Sequence, residues 1–167
     1  MKTKLSLFNL ILALLIVASC DDKQEPTPIG SPEPNYVLHS ECKNEKSGSI
    51  SEDKSQDCIS YSYQADTKML TLTHKNAAFN CCPDSITSNF SFIGDTIIIT
   101  EAETASLCNC LCVFDLNFTI ANLEKKAWII KIVEPYIGDG EVLQGTVDLT
   151  NVIIGEFCVT RNYYPWE

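Results

Sequence analysis

An alternation of apolar and polar residues with a period of two recurs along the body of this 167-residue chain. Its longest stretch covers 108–120, where every even-numbered position holds a cysteine or an apolar side chain. The odd positions are mostly polar, and the exceptions, Leu111 and Val113, indicate partial cover on the second face. Successive side chains of a strand point to opposite faces of its sheet. The pattern therefore predicts a long strand with one buried face.

Eight further segments carry the same pattern and are separated by turn-forming residues. They are 36–42, 58–63, 69–74, 86–93, 96–101, 127–134, 141–149 and 152–160. About nine short strands without a convincing helix favour two sheets packed face to face. We therefore predict an all-β fold, an antiparallel β-sandwich of immunoglobulin-like arrangement, with a small β-barrel or jelly roll as the alternative. The polar segment 43–57 is predicted to be a loop between the first two strands.

The N-terminus has the features of an export signal. Lys2 and Lys4 precede an almost unbroken apolar run over 5–17, and two small residues then lead into Cys20. A positive start, an apolar centre and small residues before the cleavage point define a signal peptide. The apolar run is too short and too one-sided for a stable membrane span. Residues 1–19 are therefore predicted to be a signal peptide.

The residues around the cleavage point, Val17-Ala18-Ser19-Cys20, resemble the lipobox of bacterial lipoproteins. The resemblance implies cleavage before Cys20 and lipidation of its sulfur, which makes the lipid bilayer a partner of the protein. Each buried methylene of an acyl chain adds about 0.8 kcal/mol, so several chains anchor firmly. The acidic stretch 21–25 looks like the export tract of Bacteroidota lipoproteins. It implies a lipid-anchored protein of the cell outer membrane, with surface exposure left open.

Residues 20–35 are predicted to be the lipidated cysteine and a tether, because four prolines alternate there with polar residues and favour an extended polyproline II chain. The remaining segment, 36–167, is long enough for a single domain with a real core.

Removal of 1–19 takes away two lysines and no acid, so the net charge changes from −10 to −12. This negative charge argues against a nucleic-acid partner, because phosphate binding needs clustered Lys or Arg.

Eight cysteines remain besides Cys20, and an even number in an exported chain favours disulfides. The disulfide candidates are Cys42, Cys58, Cys81, Cys82, Cys108, Cys110, Cys112 and Cys158. An extended backbone would place neighbours in the Cys-x-Cys-x-Cys run about 6.6 Å apart, so we expect each to pair with a cysteine elsewhere. At least one of Cys81 and Cys82 should bridge to this run. Cys158 should take another position on it, and Cys42 should join Cys58 to close the polar loop.

Two other interpretations compete with disulfides: free buried thiols, since unpaired cysteine is a common core residue, and a thiolate metal site, because soft sulfur ligands bind Zn²⁺ or Cu⁺. Its ligands would come from Cys81, Cys82, Cys108, Cys110 and Cys112. A tetrahedral zinc needs sulfurs about 3.8 Å apart, which is closer than a straight strand brings alternate side chains. We therefore favour the prediction that the protein binds neither a metal nor another cofactor.

Catalytic motifs are absent from the sequence. His39 and His74 lie in predicted strands, outside any metal-binding or nucleophile motif. The carboxylates that could form an acid–base pair for glycoside cleavage are Asp115, Glu134, Asp139 and Glu141, but any acidic protein offers such pairs by chance. We therefore predict no catalytic residues and no enzymatic activity.

The sequence indicates a lipid-anchored cell-envelope lipoprotein that acts as a non-catalytic binding or structural module and is stabilised by disulfides. Its ligand would be a protein or a glycan that the sequence does not identify. The alternatives are a thiolate metal-binding (Zn/Cu) lipoprotein and, less favoured, a glycan-processing enzyme.

Overall fold

The computed structural model describes residues 35–43, 55–106 and 108–162. In these ranges the chain forms ten strands and no helix. The strands are β1 (Asn35–Tyr36), β2 (Leu38–His39), β3 (Gln56–Gln64), β4 (Met69–Asn80), β5 (Pro83–Ile93), β6 (Thr96–Ser106), β7 (Leu111–Ile120), β8 (Ala127–Val133), β9 (Gln144–Asp148) and β10 (Ile154–Thr160). The described part therefore contains no helix able to cross a membrane. The predicted signal peptide, Cys20 and nearly all of the tether lie outside the described residues.

The strands form two five-stranded sheets that pack against each other. The first sheet has the order β1-β5-β6-β8-β9, and the second has the order β10-β3-β4-β7-β2. Neighbouring strands are antiparallel except for β6 and β8, which run parallel. The predicted all-β sandwich is confirmed, and the described residues do not close into a barrel.

One apolar core fills the space between the sheets. The alternation read from the sequence places the inward side chains of both sheets in this core, and Leu70, Leu72, Ile97 and Ile99 are fully buried in it. Aromatic rings meet across the interface, as in the edge-to-face pair of Phe90 and Phe118, whose centroids lie 6.0 Å apart. Burial of this apolar surface is the main source of stability.

A bulge extends β4 beyond the predicted end of its strand at residue 74. The register with β7 shifts between His74 and Ala77, and Asn76 adopts a φ of 63°. The Asn76 side chain donates to the Gln56 carbonyl at 2.7 Å, and its backbone N–H donates to Asp115 at 3.1 Å. Because an extra residue reverses the side-chain alternation, Ala77 points inward although His74 also does. The sequence pattern changes parity here, so the strand was predicted too short.

The long strand predicted over 108–120 begins only at Leu111. Residues 108–110 bend before it, where the chain returns from the first sheet to the second. The predicted loop over 43–57 ends earlier than expected because β3 begins at Gln56. Residues 44–54 of that loop lie outside the described residues.

Candidate functional site

Charged side chains occupy one level of the interior between the two sheets. We call them the buried ionic network: Asp57, His74, Glu101, Glu134 and Arg161. All five are at most 9% exposed. In the sequence, each lies two positions from a buried apolar residue whose side chain also points into the core. Glu101, for example, follows Ile99 by two positions. The network therefore takes the place of the next apolar layer of the core.

His74 connects the two sheets at the centre of this network. Its Nδ1 lies 2.7 Å from Oε1 of Glu101 on β6, and its Nε2 lies 2.7 Å from Oδ1 of Asp57 on β3. Both ring nitrogens are therefore engaged with carboxylates. The imidazole acts as a polar bridge between a strand of the first sheet and a strand of the second.

Arg161 completes the network just after β10. Its Nε donates to Oδ2 of Asp57 at 2.8 Å, and its Nη2 donates to the same oxygen at 2.5 Å and to Oε2 of Glu134 at 2.6 Å. Its Nη1 donates to the backbone carbonyl of Glu141. The planar guanidinium suits this arrangement because it directs several N–H groups at fixed angles.

The neighbouring charges set the protonation of the central pair. Burial alone would lower the pKa of His74, but the charge of Glu101 and the hydrogen bonds that the ring donates to both carboxylates raise it well above 6.5. Burial alone would raise the pKa of Asp57, but His74 and Arg161 outweigh it and lower that pKa below 3.8. At neutral pH we therefore assign a doubly protonated imidazole and an ionised Asp57.

Glu134 is driven in the opposite direction. Burial raises its pKa to about 8, with the charges of Asp57 and Glu101 adding to the shift and those of His74 and Arg161 opposing it. Although the 2.6 Å contact with Arg161 is short enough for an ion pair, we assign the neutral acid at pH 7. A protonated carboxyl still accepts an N–H through its other oxygen. The two cations, His74 and Arg161, are then balanced by Asp57 and Glu101.

The geometry of the network favours a structural role over chemistry on a substrate. Its members are sealed from solvent, and both nitrogens of His74 are engaged. In the described part of the chain, the buried side-chain oxygens without a hydrogen-bond partner are Oε2 of Glu101 and Oγ of Ser88, which lie on directly paired residues of β6 and β5. A general base or nucleophile must reach a reacting group, and this network offers no such access.

The same network contains a set of potential metal ligands. One ligand atom each of Asp57, His74 and Glu134 lies within 4.8 Å of the others. However, Arg161 binds both carboxylates of this set, and Nε2 of His74 faces Asp57. A cation among them would meet the guanidinium charge and would need the lone pair of a ring nitrogen that is protonated here. The residues present therefore fit an ionic network better than a metal centre.

The other catalytic candidates considered from the sequence are distributed over the molecule. His39 is exposed, and its Nδ1 lies 2.7 Å from the carbonyl of Ser40. Asp115 pairs with Lys43 at 2.6 Å. Asp139 and Glu141 are exposed in the β8–β9 connection. Glu134 alone of the four carboxylates is buried.

All eight candidate cysteines are joined in four disulfides. The pairs are Cys42–Cys112, Cys58–Cys158, Cys81–Cys110 and Cys82–Cys108. The prediction that Cys81, Cys82 or both bridge to the Cys108–Cys112 run is confirmed for both. Every cysteine of that run also pairs with a cysteine elsewhere, as expected.

Two expected pairings are wrong: that of Cys42 with Cys58, and that of Cys158 with the Cys108–Cys112 run. Cys42 bonds to Cys112 instead of Cys58, because the chain after β2 continues along β7, where the N–H of Lys43 donates to the carbonyl of Val113. Cys58 bonds to Cys158, because β3 and β10 pair directly at these residues, with Cα atoms 4.1 Å apart. The pairing of β10 with β3 is a long-range contact that no local pattern reveals.

This disulfide pairing separates one of the five cysteines of the alternative metal site from the other four. Cys112 is bonded to Cys42 and is 5% exposed, so it does not join the other four. The disulfides Cys81–Cys110 and Cys82–Cys108 lie next to each other, and we call them the double disulfide. They join the two-residue link between β4 and β5 to the segment that precedes β7.

The sequence interpretation missed Asp57, Glu101 and Arg161 as parts of a site. The alternation along each strand could have indicated them. Each lies an even number of positions from buried apolar residues of the strand that it lies in or directly follows, as Glu101 does from Ile97 and Ile99, and therefore points to the same face. A charged residue in such a row predicts a buried charge with a partner. The partner itself depends on sheet pairing.

Comparisons with protein-family models, with curated proteins and with solved structures gave no match for this chain.

Proposed function

We propose that the protein is a lipid-anchored lipoprotein of the cell envelope that acts as a non-catalytic binding or structural module. The observation that carries the proposal is the use of cysteine. The chain has nine, and eight of them form the four disulfides. The ninth is Cys20, which follows the apolar run and the small residues of the lipobox-like segment. A lipidated cysteine has no need of a disulfide partner.

The disulfides also support export. Disulfides form and persist in oxidising compartments such as the bacterial periplasm and the cell surface, and they are rare in the cytosol. Four of them in a domain of this size agree with a chain that leaves the cytoplasm. The acidic tract after Cys20 extends this proposal to the outer membrane.

The assignment of titratable groups supports a non-catalytic role. The one buried histidine and its carboxylate partners are engaged with one another inside the sandwich. Their arrangement joins the sheets and leaves no reactive group facing a substrate. Glu134, which is buried in the network, is not accessible to a glycan, as a carboxylate of an acid–base pair for glycoside cleavage must be.

The edge of the second sheet supports the binding part of the proposal. Val152 and Ile153 directly precede the edge strand β10 and Ile154 begins it; the three are 49%, 45% and 68% exposed. Consecutive exposed apolar residues are typical of interaction surfaces, and an edge strand offers unpaired backbone groups for an extended partner. This surface favours a protein ligand.

The lipid anchor is tested by metabolic labelling. The full chain, expressed in a bacterium that processes lipoproteins, should incorporate labelled palmitate and partition into the detergent phase. Cys20→Ser should lose both properties. Ser31→Ala, a change within the tether, should keep both and serves as the matched control. Equal labelling of the Cys20→Ser variant would overturn the assignment of Cys20.

A further inference from the structure

The double disulfide gathers four sulfur atoms at one end of the sandwich. The Sγ atoms of Cys81, Cys82 and Cys108 lie within 4.8 Å of one another, and Cys110 is bonded to Cys81. The sulfurs of a tetrahedral zinc site lie about 3.8 Å apart, with Zn–S bonds of about 2.3 Å. Three of the four sulfurs thus already lie near this spacing, and rotation of the Cys110 side chain after reduction would bring its sulfur to the same ion.

Hydrogen bonds that involve no sulfur hold the two cysteine segments together. The N–H of Cys81 donates to the carbonyl of Cys110 at 3.1 Å, and the Asn80 side chain donates to the carbonyl of Cys108 at 2.6 Å. The N–H of Cys82 donates back to Oδ1 of Asn80 at 3.0 Å. Because none of these contacts involves sulfur, we expect them to persist when the S–S bonds are reduced and to keep the four thiols clustered.

Paired strands flank the two cysteine segments and hold them in position. Asn80 pairs with Leu111 between β4 and β7, and Pro83 pairs with Ser106 between β5 and β6. The cysteine segments are thus short links between strands of the same two sheets. A metal site formed there would be largely preorganised, which lowers the entropic cost of binding.

The cluster is also open to solvent. Cys108 and Cys110 are exposed, and Cys81 and Cys82 are half-buried. Cys112, by contrast, is 5% exposed in its bond to Cys42. A soluble reductant and a metal ion can therefore reach the double disulfide more readily than the Cys42–Cys112 bond.

We propose that Cys81, Cys82, Cys108 and Cys110, once reduced, form a tetrathiolate site for one Zn²⁺ ion. Two equivalents of a dithiol each transfer two electrons and two protons, which convert the two protein disulfides to four thiols while each dithiol becomes a disulfide. Zn²⁺ then binds four thiolates and releases their four protons to solvent. The inference goes beyond the lipoprotein function and does not depend on the lipidation of Cys20.

The test uses the full chain, reduced anaerobically with a phosphine that is then removed. Native mass spectrometry should show one Zn²⁺ per reduced chain and none on the oxidised chain. Co²⁺ in place of zinc should give the thiolate charge-transfer and tetrahedral d–d absorption bands. Zinc should protect Cys81, Cys82, Cys108 and Cys110 from alkylation.

Two variants separate this site from the rest of the molecule. Replacement of Cys81, Cys82, Cys108 and Cys110 by serine should abolish zinc binding. Cys58→Ser with Cys158→Ser should retain one Zn²⁺ per chain, although these residues and Glu156 form another cluster of potential ligands.

Several results would overturn the proposal. They are an absence of zinc on the reduced wild-type chain, zinc retained by the fourfold variant, or zinc lost from the Cys58/Cys158 variant that keeps its β-sheet circular dichroism. Loss of β-sheet signal on reduction of the wild-type chain would also contradict it, because the site requires the backbone contacts to persist. A labelling failure at Cys20 would leave these results unchanged, so the two proposals fail separately.

Discussion

At the scale of single residues, the buried ionic network is the feature that most distinguishes this interior from an apolar core. A buried ion pair contributes little net stability, because desolvation opposes the Coulomb attraction. The removal of one partner is costly, because it leaves the other charge buried and unpaired. The network therefore constrains which strands must meet: Asp57, His74 and Arg161 of the second sheet require Glu101 and Glu134 of the first.

The pKa shifts predict that stability falls as the pH rises from mildly acidic to alkaline. Glu134 has a folded pKa of about 8 against an ordinary value of 4.5, so the folded chain retains a proton that the unfolded chain releases. Its contribution is full below 4.5 and is lost as the pH rises toward 8. The raised pKa of His74 acts in the same direction, with loss above its ordinary 6.5 as the pH rises through the folded value.

Asp57 acts in the opposite direction, because its lowered pKa gives stability that is present above its ordinary 3.8 and is lost as the pH falls through the folded value. We therefore expect a higher free energy of unfolding at about pH 5 than at about pH 9 in urea titrations. Glu134→Gln, which mimics the neutral acid, should reduce this difference. An equally steep decline in the Glu134→Gln variant would show that Glu134 does not retain the proton.

Arg161→Met should lower the free energy of unfolding by about 3–5 kcal/mol, because it leaves the Asp57 carboxylate buried without its guanidinium partner. Lys75→Met is the matched control. Lys75 pairs with Glu156 on the surface, where the two side chains are 40% and 43% exposed, so its loss should cost less than about 1 kcal/mol. Chemical denaturation of both variants measures the difference, and equal losses would contradict a network held by Arg161.

At the scale of elements, a glycine sets the approach of β9 to β10. A Cβ built on Gly145 would lie 2.5 Å from the ring of Phe157. Since real side chains do not approach so closely, the small residue lets the aromatic ring of the second sheet lie over the edge of the first. The contact brings together β9 and β10, which are edge strands of the two sheets.

Gly145→Ala should therefore destabilise the fold by about 1–3 kcal/mol, the usual cost of overpacking. The cost should disappear in a Phe157→Ala background, where the ring that the new Cβ meets is gone. A double-mutant cycle from urea unfolding measures this coupling. If Gly145→Ala costs the same in both backgrounds, the contact with Phe157 does not limit the approach of the strands.

The strands themselves could largely be predicted from the sequence, because a period of two is local information. The pattern predicted the sandwich and most strand positions. It predicted that one strand ends at His74, because the bulge at Asn76 reverses the alternation of inward and outward side chains. It also treated Cys108 as part of a strand that begins at Leu111. Bulges and bends depend on what the neighbouring strand offers, and a single sequence does not contain that information.

The site was predictable only in part. The alternation within each strand indicates which charged side chains point into the core. The partner of each charge depends on which strands pair. The same limit applies to the disulfides: Cys81 and Cys82 were expected near the Cys108–Cys112 run, while the bond of Cys58 to Cys158 needed the pairing of β3 with β10.

At the scale of the whole molecule, the disulfides secure the places where the chain changes sheet or begins and ends. The double disulfide joins two such crossings, from β4 to β5 and from β6 to β7. Cys58–Cys158 closes a sequence separation of 100 residues, for which the chain-entropy model gives about 4.7 kcal/mol. Cys42–Cys112 joins the segment after β2 to β7. Bonds at these places increase the resistance of the domain to unfolding.

Peptide mapping under non-reducing conditions, on the chain directed to an oxidising periplasm, tests the four cysteine pairs most directly. Digestion and mass spectrometry should recover Cys42–Cys112 and Cys58–Cys158 as linked peptides, together with one peptide set joined by the double disulfide. Cys20 should be absent from every linked pair. Free thiols at these eight positions, or a Cys42–Cys58 bond, would contradict the account.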